Sequence, residues 1–497
     1  MNKRILSILI PAVGLLLLNA CNTKTAEKPE DAPAHTPVFE EISQNAESEE
    51  TAPKTYPGPD VADLSGFALR IATTPFNDYN KMIFSEEQNG EVVNDALYEA
   101  NSKVFQEYNC SADLELFTSF PDVTEGVKKS VNAGDDAYDI SYNHDNQTVA
   151  NALSGCFLNV KQCDIYDFEA PWWTRTSDDF TIGGGLYFVS NYLTYSPLYC
   201  GLTMVYNKDL ARDLNIEIPY DDIFNGNWYM DGLLGLLEGT TADLNGDGAV
   251  TLGEDQYGFI TGHGGVSPLQ TSLGIEVLGK DEEGYLQLVL DPERAIQMLE
   301  KIDKLMENGI NANLVDNEWG YGTKYFKNHQ AVFNYLPIRR VASELRDIDF
   351  SLGALPVPKL DENQTDYISG AYDTYWAVLK TAYGRQDQIA TVLEAMSYQC
   401  YYNVLPVVYE TVLQVKLSNS QEDSRIYEII KNSLLVDVGY AFNEQDGSGL
   451  FAMVRLMSNT DAGTFSSFYS SKIKQTAKIL ERLNNKFREM NAEYGNP

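Results

Sequence analysis

Apolar positions follow three successive patterns along the chain. From Ile5 to Leu18 they run together without a charge, behind Lys3 and Arg4. A basic start, a short apolar run and an abrupt polar continuation make the layout of a secretory signal rather than of a folded element. The run is shorter than the ~20 residues a membrane span needs, and Ser7, Pro11 and Gly14 interrupt it. From Asn22 to Ala62 apolar residues nearly vanish. Nine acidic residues and three lysines stand among Pro, Thr, Ser and Ala, the composition of a disordered tether. Beyond it the pattern becomes periodic. Phe67, Leu69 and Ile71 alternate as one face of a strand, Leu97, Ala100, Val104 and Tyr108 recur at helical spacing, and Ala112, Leu114 and Leu116 alternate again. A helical stretch from Val123 to Val131 leads to the apolar segment Tyr138-Asp139-Ile140-Ser141-Tyr142. Strand, helix, strand, helix, strand predicts a parallel α/β sheet with right-handed crossovers. Ligands gather beyond the carboxyl ends of such strands, here Thr73-Thr74 and Asn143-His144-Asp145. Further on, Pro292 opens a helix with the stripe Ala295, Ile296, Leu299, Ile302, Leu305 and Met306, stopped by Gly309. Ile473, Ile479, Leu480, Leu483, Phe487 and Met490 predict a terminal amphipathic helix.

The part beyond the tether, roughly 430 residues, is too long for one ordinary core and predicts two lobes. The formal net charge is -36, carried mostly by that part, which argues against nucleic acid and anionic membrane surfaces as partners. The signal closes on Leu18-Asn19-Ala20-Cys21, which resembles a bacterial lipobox. That resemblance implies lipidation at Cys21, with palmitate-type chains added because one acyl chain alone binds a membrane only marginally. Membrane contact is then through the anchor only, on the extracytoplasmic face of the cell membrane. Five cysteines remain, an odd number without metal-ligand spacing, so a disulfide framework is not expected. Cys156 and Cys163 could pair, although isolated cysteines commonly serve as small buried apolar residues.

The segment 243–254 matches a twelve-residue calcium loop at each informative position. Asp243, Asn245 and Asp247 supply side-chain oxygens, Gly248 takes the sharp turn, Ala249 offers its carbonyl, Thr251 binds directly or through water, and Glu254 chelates with both oxygens. Val250 is the apolar eighth residue. The flanks, Gly239-Thr240-Thr241 and Asp255-Gln256-Tyr257-Gly258, do not read as paired helices. A structural Ca2+ loop, rather than a sensor, is the expectation. Against it stands the ordinary polar turn rich in Asp, Asn and Gly.

Other chemistry is sparse. No nucleophile elbow, His-Glu-x-x-His, phosphate loop or dinucleotide fingerprint occurs, and the four histidines leave little for acid-base work. No catalytic residue is assigned and no enzyme is expected, although the many carboxylates leave a glycosidase pair open. Aromatic residues are plentiful: 31 tyrosines and five tryptophans, many beside polar neighbours, as in Trp172-Trp173, Trp228-Tyr229, Trp319-Gly320-Tyr321 and Tyr372-Asp373-Thr374-Tyr375-Trp376. Sugars present apolar faces rimmed by hydroxyls, which such pairings suit. For each aromatic taken singly, core packing is the plainer reading.

In order along the chain, several segments resemble the extracellular solute-binding proteins of bacterial ABC importers, in the group that includes maltose-binding protein. They are Tyr138-Asp139-Ile140 with Gly155-Cys156-Phe157-Leu158; Pro171-Trp172-Trp173; Gly185-Leu186-Tyr187-Phe188; Tyr206-Asn207-Lys208-Asp209-Leu210; Gly226 to Asp231; Phe326 to Ala331; and Leu355-Pro356-Val357-Pro358-Lys359. Val404-x-Pro406 with Tyr409, Leu413 and Lys416, then Asp437 to Tyr440, is similar to a lipoprotein branch of that group. Gly185 stands where that branch often has lysine. The resemblance implies a two-lobed, periplasmic-binding-protein-like α/β fold with hinge crossings and an interlobe cleft. Lobe one is expected at 66–191 plus 338–381, and lobe two at 198–335 plus 384–497. It implies a monomer that captures a mono- or oligosaccharide and passes it to ABC permease subunits. Asp145 is the leading expected ligand contact, with Tyr142 and His144 in the same strand-end loop. Trp172, Tyr187, Trp228, Trp319, Tyr335, Tyr372, Asp373 and Trp376 follow. Alternatives are a surface glycan-binding or sensory lipoprotein, or a secreted glycoside hydrolase or lyase.

Overall fold

The computed structural model describes residues 63–311, 320–372, 374–414, 421–451 and 462–493. The signal, Cys21, the tether, Trp319, Asp373 and Lys416 lie outside the described residues. The first part of the fold follows the expected alternation: β1 (Phe67–Thr73), α1 (Val92–Tyr108), β2 (Cys110–Leu116), α2 (Phe120–Ala133), β3 (Ile140–His144) and α3 (Asp145–Leu153). Local chemistry sets the helix ends. Glu91 accepts from the Asn94 amide to cap α1, Ser119 caps α2, and Gly134 (φ 64°) closes α2 in a left-handed turn. Leu97, Ala100, Val104 and Tyr108 are buried, as are Val123 and Val127. One expectation is corrected: Leu116 is 50% exposed, because it ends β2, the sheet edge.

The second part comprises β4 (Leu202–Asn207), β5 (Tyr257–Thr261), α4 (Pro292–Glu307), β6 (Gly309–Asn311), β7 (Ala331–Pro337) and β8 (Leu352–Leu355). The chain then returns as β9 (Thr374–Val378), followed by α5 (Gln386–Gln399) and the terminal α6 (Phe465–Glu493). Two sheets result. One has the order β9-β3-β1-β2 and the other β8-β4-β7-β5-β6. β1 runs parallel to β2 and β3, whereas β9 pairs antiparallel with β3, Thr374 opposite His144 and Val378 opposite Ile140.

This topology corrects the expected lobe ranges. Residues 352–355, expected with lobe one, pair antiparallel with β4 in the second sheet. Helix α5, expected with lobe two, packs on α1 and β1 of the first sheet, because Ile389, Val392, Leu393 and Met396 form an apolar side that the first sheet buries. Ile479, Leu480, Leu483, Phe487 and Met490 of α6 are buried as expected, but Ile473 is exposed.

A buried ion cluster ties the first sheet together. Asp139, fully buried, accepts from Arg70 Nε (2.9 Å) and the Arg70 backbone N–H (2.9 Å), and from Arg385 Nη2 (2.7 Å). Cys110, Cys156, Cys163, Cys200 and Cys400 are all free thiols, so Cys156 and Cys163 do not pair. Among the described residues no helix is long and apolar enough to cross a membrane.

Candidate functional site

Polar side chains from both sheets meet beyond the carboxyl ends of β1, β3 and β7. Asp145 is the first residue of α3, 2% exposed, where the helix dipole favours a carboxylate. Its Oδ1 lies 2.6 Å from His144 Nδ1, while its Oδ2 is buried without a hydrogen-bond partner. Burial pulls the His144 imidazole down, but the charge and hydrogen bond of Asp145 outweigh this, leaving its pKa raised. The His144 ring packs on Phe120, centroids 5.0 Å apart, and near Tyr79 at 6.3 Å. Beneath them Tyr142 is fully buried, its hydroxyl accepting from Thr374 and donating to Thr194.

Tyr79, after β1, is buried, and burial pushes its hydroxyl far above the ordinary phenol range. Its neighbour Asn80 has a buried Oδ1 with no partner. Arg339, two residues past β7, brings a cation within electrostatic range of Tyr79, Tyr321, Tyr372 and His144. Tyr321 and Tyr372 share a hydroxyl–hydroxyl hydrogen bond, and the Tyr372 ring lies 5.8 Å from that of Tyr440. Asn80 and Arg339 also line an open groove of about 1210 Å3, with Tyr195, Tyr199 and segments of 77–94 and 339–346 among its walls.

The expected ligand contacts separate into two groups. Tyr142, His144 and Asp145 come together at this place, and Tyr372 and His144 both lie within electrostatic range of Arg339. Tyr335 is close by on β7, buried, its hydroxyl 3.2 Å from Ser272 Oγ. Trp172, Tyr187, Trp228 and Trp376 are buried, each polar handle held inside the protein, with Trp376 directly opposite Tyr142 on β9. Trp172 Nε1 donates to Glu394 (2.7 Å), Trp228 Nε1 to the Pro356 carbonyl (3.1 Å) and Trp376 Nε1 to Asn191 (2.9 Å). Tyr187 donates to Asn491 of α6 at 2.8 Å. A Cβ on Gly185 would stand 2.2 Å from Asn491 Oδ1, so the approach of α6 leaves no room for a side chain at this position.

Tyr79, Asn80, Tyr321 and Arg339 are absent from the expected set. Asn77 and Asp78 have positive φ (53° and 60°), so the turn that presents Tyr79 has no periodicity to read. Arg339-Arg340 did leave a signal: a basic pair directly after an apolar strand run in an acidic chain.

Compared with solved structures, the chain matches M. tuberculosis UspC with a TM-score of 0.51 and 15% identity, covering 82% of this chain and 99% of that one. MalX from Streptococcus pneumoniae, in complex with maltopentaose, gives 0.50 and 15%, covering 82% and 100%. The galacto-N-biose-/lacto-N-biose I-binding protein of the ABC transporter from Bifidobacterium longum, in complex with lacto-N-biose, gives 0.50 and 12%, covering 83% and 98%. The fold is that of a two-lobed solute-binding protein. No family model and no curated protein matches the chain.

In a fold of this type the 243–254 loop stands apart from the strand-end cluster. Asp243 accepts from the backbone N–H groups of Gly246 (2.6 Å) and Gly248 (2.8 Å), and Gly248 has the positive φ (89°) that the turn requires. Asn245 Nδ2 lies 2.9 Å from Glu254 Oε2 and 3.4 Å from Asp247 Oδ2, so one amide draws three side chains together. Among the described residues, no group of three or more His, Cys, Asp or Glu is close enough to hold a metal ion. The donor chemistry of the loop nevertheless suits a hard cation. Val250 is 41% exposed.

Proposed function

We propose that the chain is the extracytoplasmic solute-binding component of an ABC importer and that its solute is a mono- or oligosaccharide. The observation that carries this is the pair of buried acceptors, Asp145 Oδ2 and Asn80 Oδ1, that no donor among the described residues satisfies. The rings of their sequence neighbours Tyr79 and His144 lie 6.3 Å apart, and Asn80 lines the groove. A buried acceptor left unpaired carries a penalty of ~1–3 kcal/mol, which a ligand hydroxyl would remove. Aromatic faces next to them suit the apolar faces of a sugar ring. Capture requires no covalent step; a ligand that touches both lobes favours the closed arrangement by its own differential affinity. Cys21, acylated, would hold the chain at the membrane beside the permease. In the same reading Asp243, Asn245, Asp247, Glu254, the Ala249 carbonyl and Thr251 hold a Ca2+ that braces an exposed loop, without a role in solute chemistry.

Calorimetry of the full chain against a panel of mono- and oligosaccharides, amino acids, peptides and polyols tests this. At least one saccharide is expected to bind, and Asp145→Asn to weaken it. Binding of peptides or polyols in place of every saccharide would remove the sugar clause.

A further inference from the structure

The charge balance around Arg339 goes beyond a neutral sugar. Of the basic side chains on the groove, Lys81 pairs with Asp78 (2.7 Å), Arg340 pairs with Glu344, and Arg346 is exposed to water. Arg339 has none of these arrangements. It is half-buried, its Nε is buried without a hydrogen-bond partner, and no carboxylate is paired with its guanidinium among the described residues. The groups nearest to it in charge are the phenols of Tyr79, Tyr321 and Tyr372 and the thiol of Cys200. Burial pushes those three phenols upward, so they are neutral at physiological pH and give no counter-charge. Asp145, the carboxylate of the cluster, spends one oxygen on His144.

A partly desolvated guanidinium without an anion is unfavourable unless a ligand supplies one. Its planar fork matches a carboxylate with two parallel hydrogen bonds. The groove also carries Glu86, Glu87 and Glu91, which repel multiply charged anions. One cation inside an acidic mouth therefore selects a singly charged group on an otherwise hydroxyl-rich molecule. Resting on the sugar reading above, we propose that the solute is an acidic saccharide, and that its uronate carboxylate binds Arg339 while its hydroxyls donate to Asp145 and Asn80.

Titration calorimetry of the full chain would compare digalacturonate and glucuronosyl-xylose with their neutral counterparts galactobiose and xylobiose, with glucose 6-phosphate as the dianionic control. The proteins are the parent, Arg339→Gln and Arg339→Lys, each checked for an unchanged circular dichroism spectrum. At least one uronate is expected to bind more tightly than its neutral counterpart and the phosphate. Arg339→Gln should weaken it roughly thirtyfold or more, and Arg339→Lys should restore part of that loss. Equal uronate affinity in Arg339→Gln overturns the proposal. Binding of the neutral sugars alone overturns it too but leaves the sugar reading intact. If no saccharide binds, acidic or neutral, both readings fail together.

Discussion

Glu394 offers a test of why the tryptophans serve the core. It lies on α5, 1% exposed, and accepts from Trp172 Nε1 at 2.7 Å and Trp173 Nε1 at 3.2 Å, with the Asp167 amide at 3.3 Å. Burial pushes its carboxyl up to about 7, against the partial relief of those indole donors. In the unfolded chain the same group titrates near 4.5. The folded state therefore holds the proton over a pH range in which the unfolded state has released it, and stability falls as pH rises through that window. Each pKa unit is worth ~1.4 kcal/mol, so raising pH from about 5 to about 8 should weaken the fold by about 2.5 kcal/mol through this one group. Glu394→Gln keeps an acceptor for Trp172 and cannot ionise. Urea unfolding of parent and variant, followed by tryptophan fluorescence at the two pH values, should show the variant gaining about 2.5 kcal/mol on the parent between them. Parallel curves, with the variant no better placed at the higher pH, would refute a buried, neutral Glu394. It would also reopen Trp172 and Trp173 as residues freed for other partners.

Three further outcomes follow from the same reasoning. Asp139→Ala removes the buried partner that Arg70 and Arg385 share, leaving them the half-exposed Asp136, and should destabilise the fold by ~1–3 kcal/mol in urea unfolding. The two arginines hold the Asp139 carboxyl below its usual range, despite burial. The parent should therefore lose this contribution as pH falls below the ordinary carboxylate range, and the variant, which lacks it, should fall less steeply. Trp228→Phe and Trp376→Phe, which lose hydrogen bonds to Pro356 and Asn191, should each lower stability by ~1–3 kcal/mol; the saccharide affinity of the folded fraction should stay within twofold. EGTA should lower the thermal midpoint of the parent and leave a Glu254→Gln variant unmoved; an unshifted parent midpoint, with no calcium by mass spectrometry, would end the metal assignment.

What the sequence disclosed depended on how local each determinant is. The strands and helices of the first sheet were legible because their burial repeats within a few residues: Leu69 and Ile71 on β1, Val123 and Val127 on α2. Asp145 was legible as a carboxylate at a strand end that opens a helix. The tryptophans stand among the expected ligand contacts because in sequence an indole looks the same whether its N–H meets sugar or protein. The protein partners that the fold gives them are remote: Glu394 is 222 positions from Trp172, and Asn191 is 185 from Trp376. The same remoteness hid the allegiance of 352–355 and 386–399, since the pattern of a buried strand or helix does not say which sheet buries it. Arg339 was readable as a residue and unreadable as a charge, for its want of a counter-ion among the described residues exists only after folding.

The return of β9 to the first sheet has a consequence for how the chain acquires its structure. β3 lies between β1 and β9, and its second neighbour is made only after more than two hundred intervening residues have been laid down. Closing so long a loop slows that pairing. Until β9 arrives, the β3 edge from Ile140 to His144 presents bare N–H and C=O groups, the kind of edge that recruits other chains. Aggregation during refolding should accordingly begin at this edge, and a separately supplied peptide covering 374–378 should compete for it.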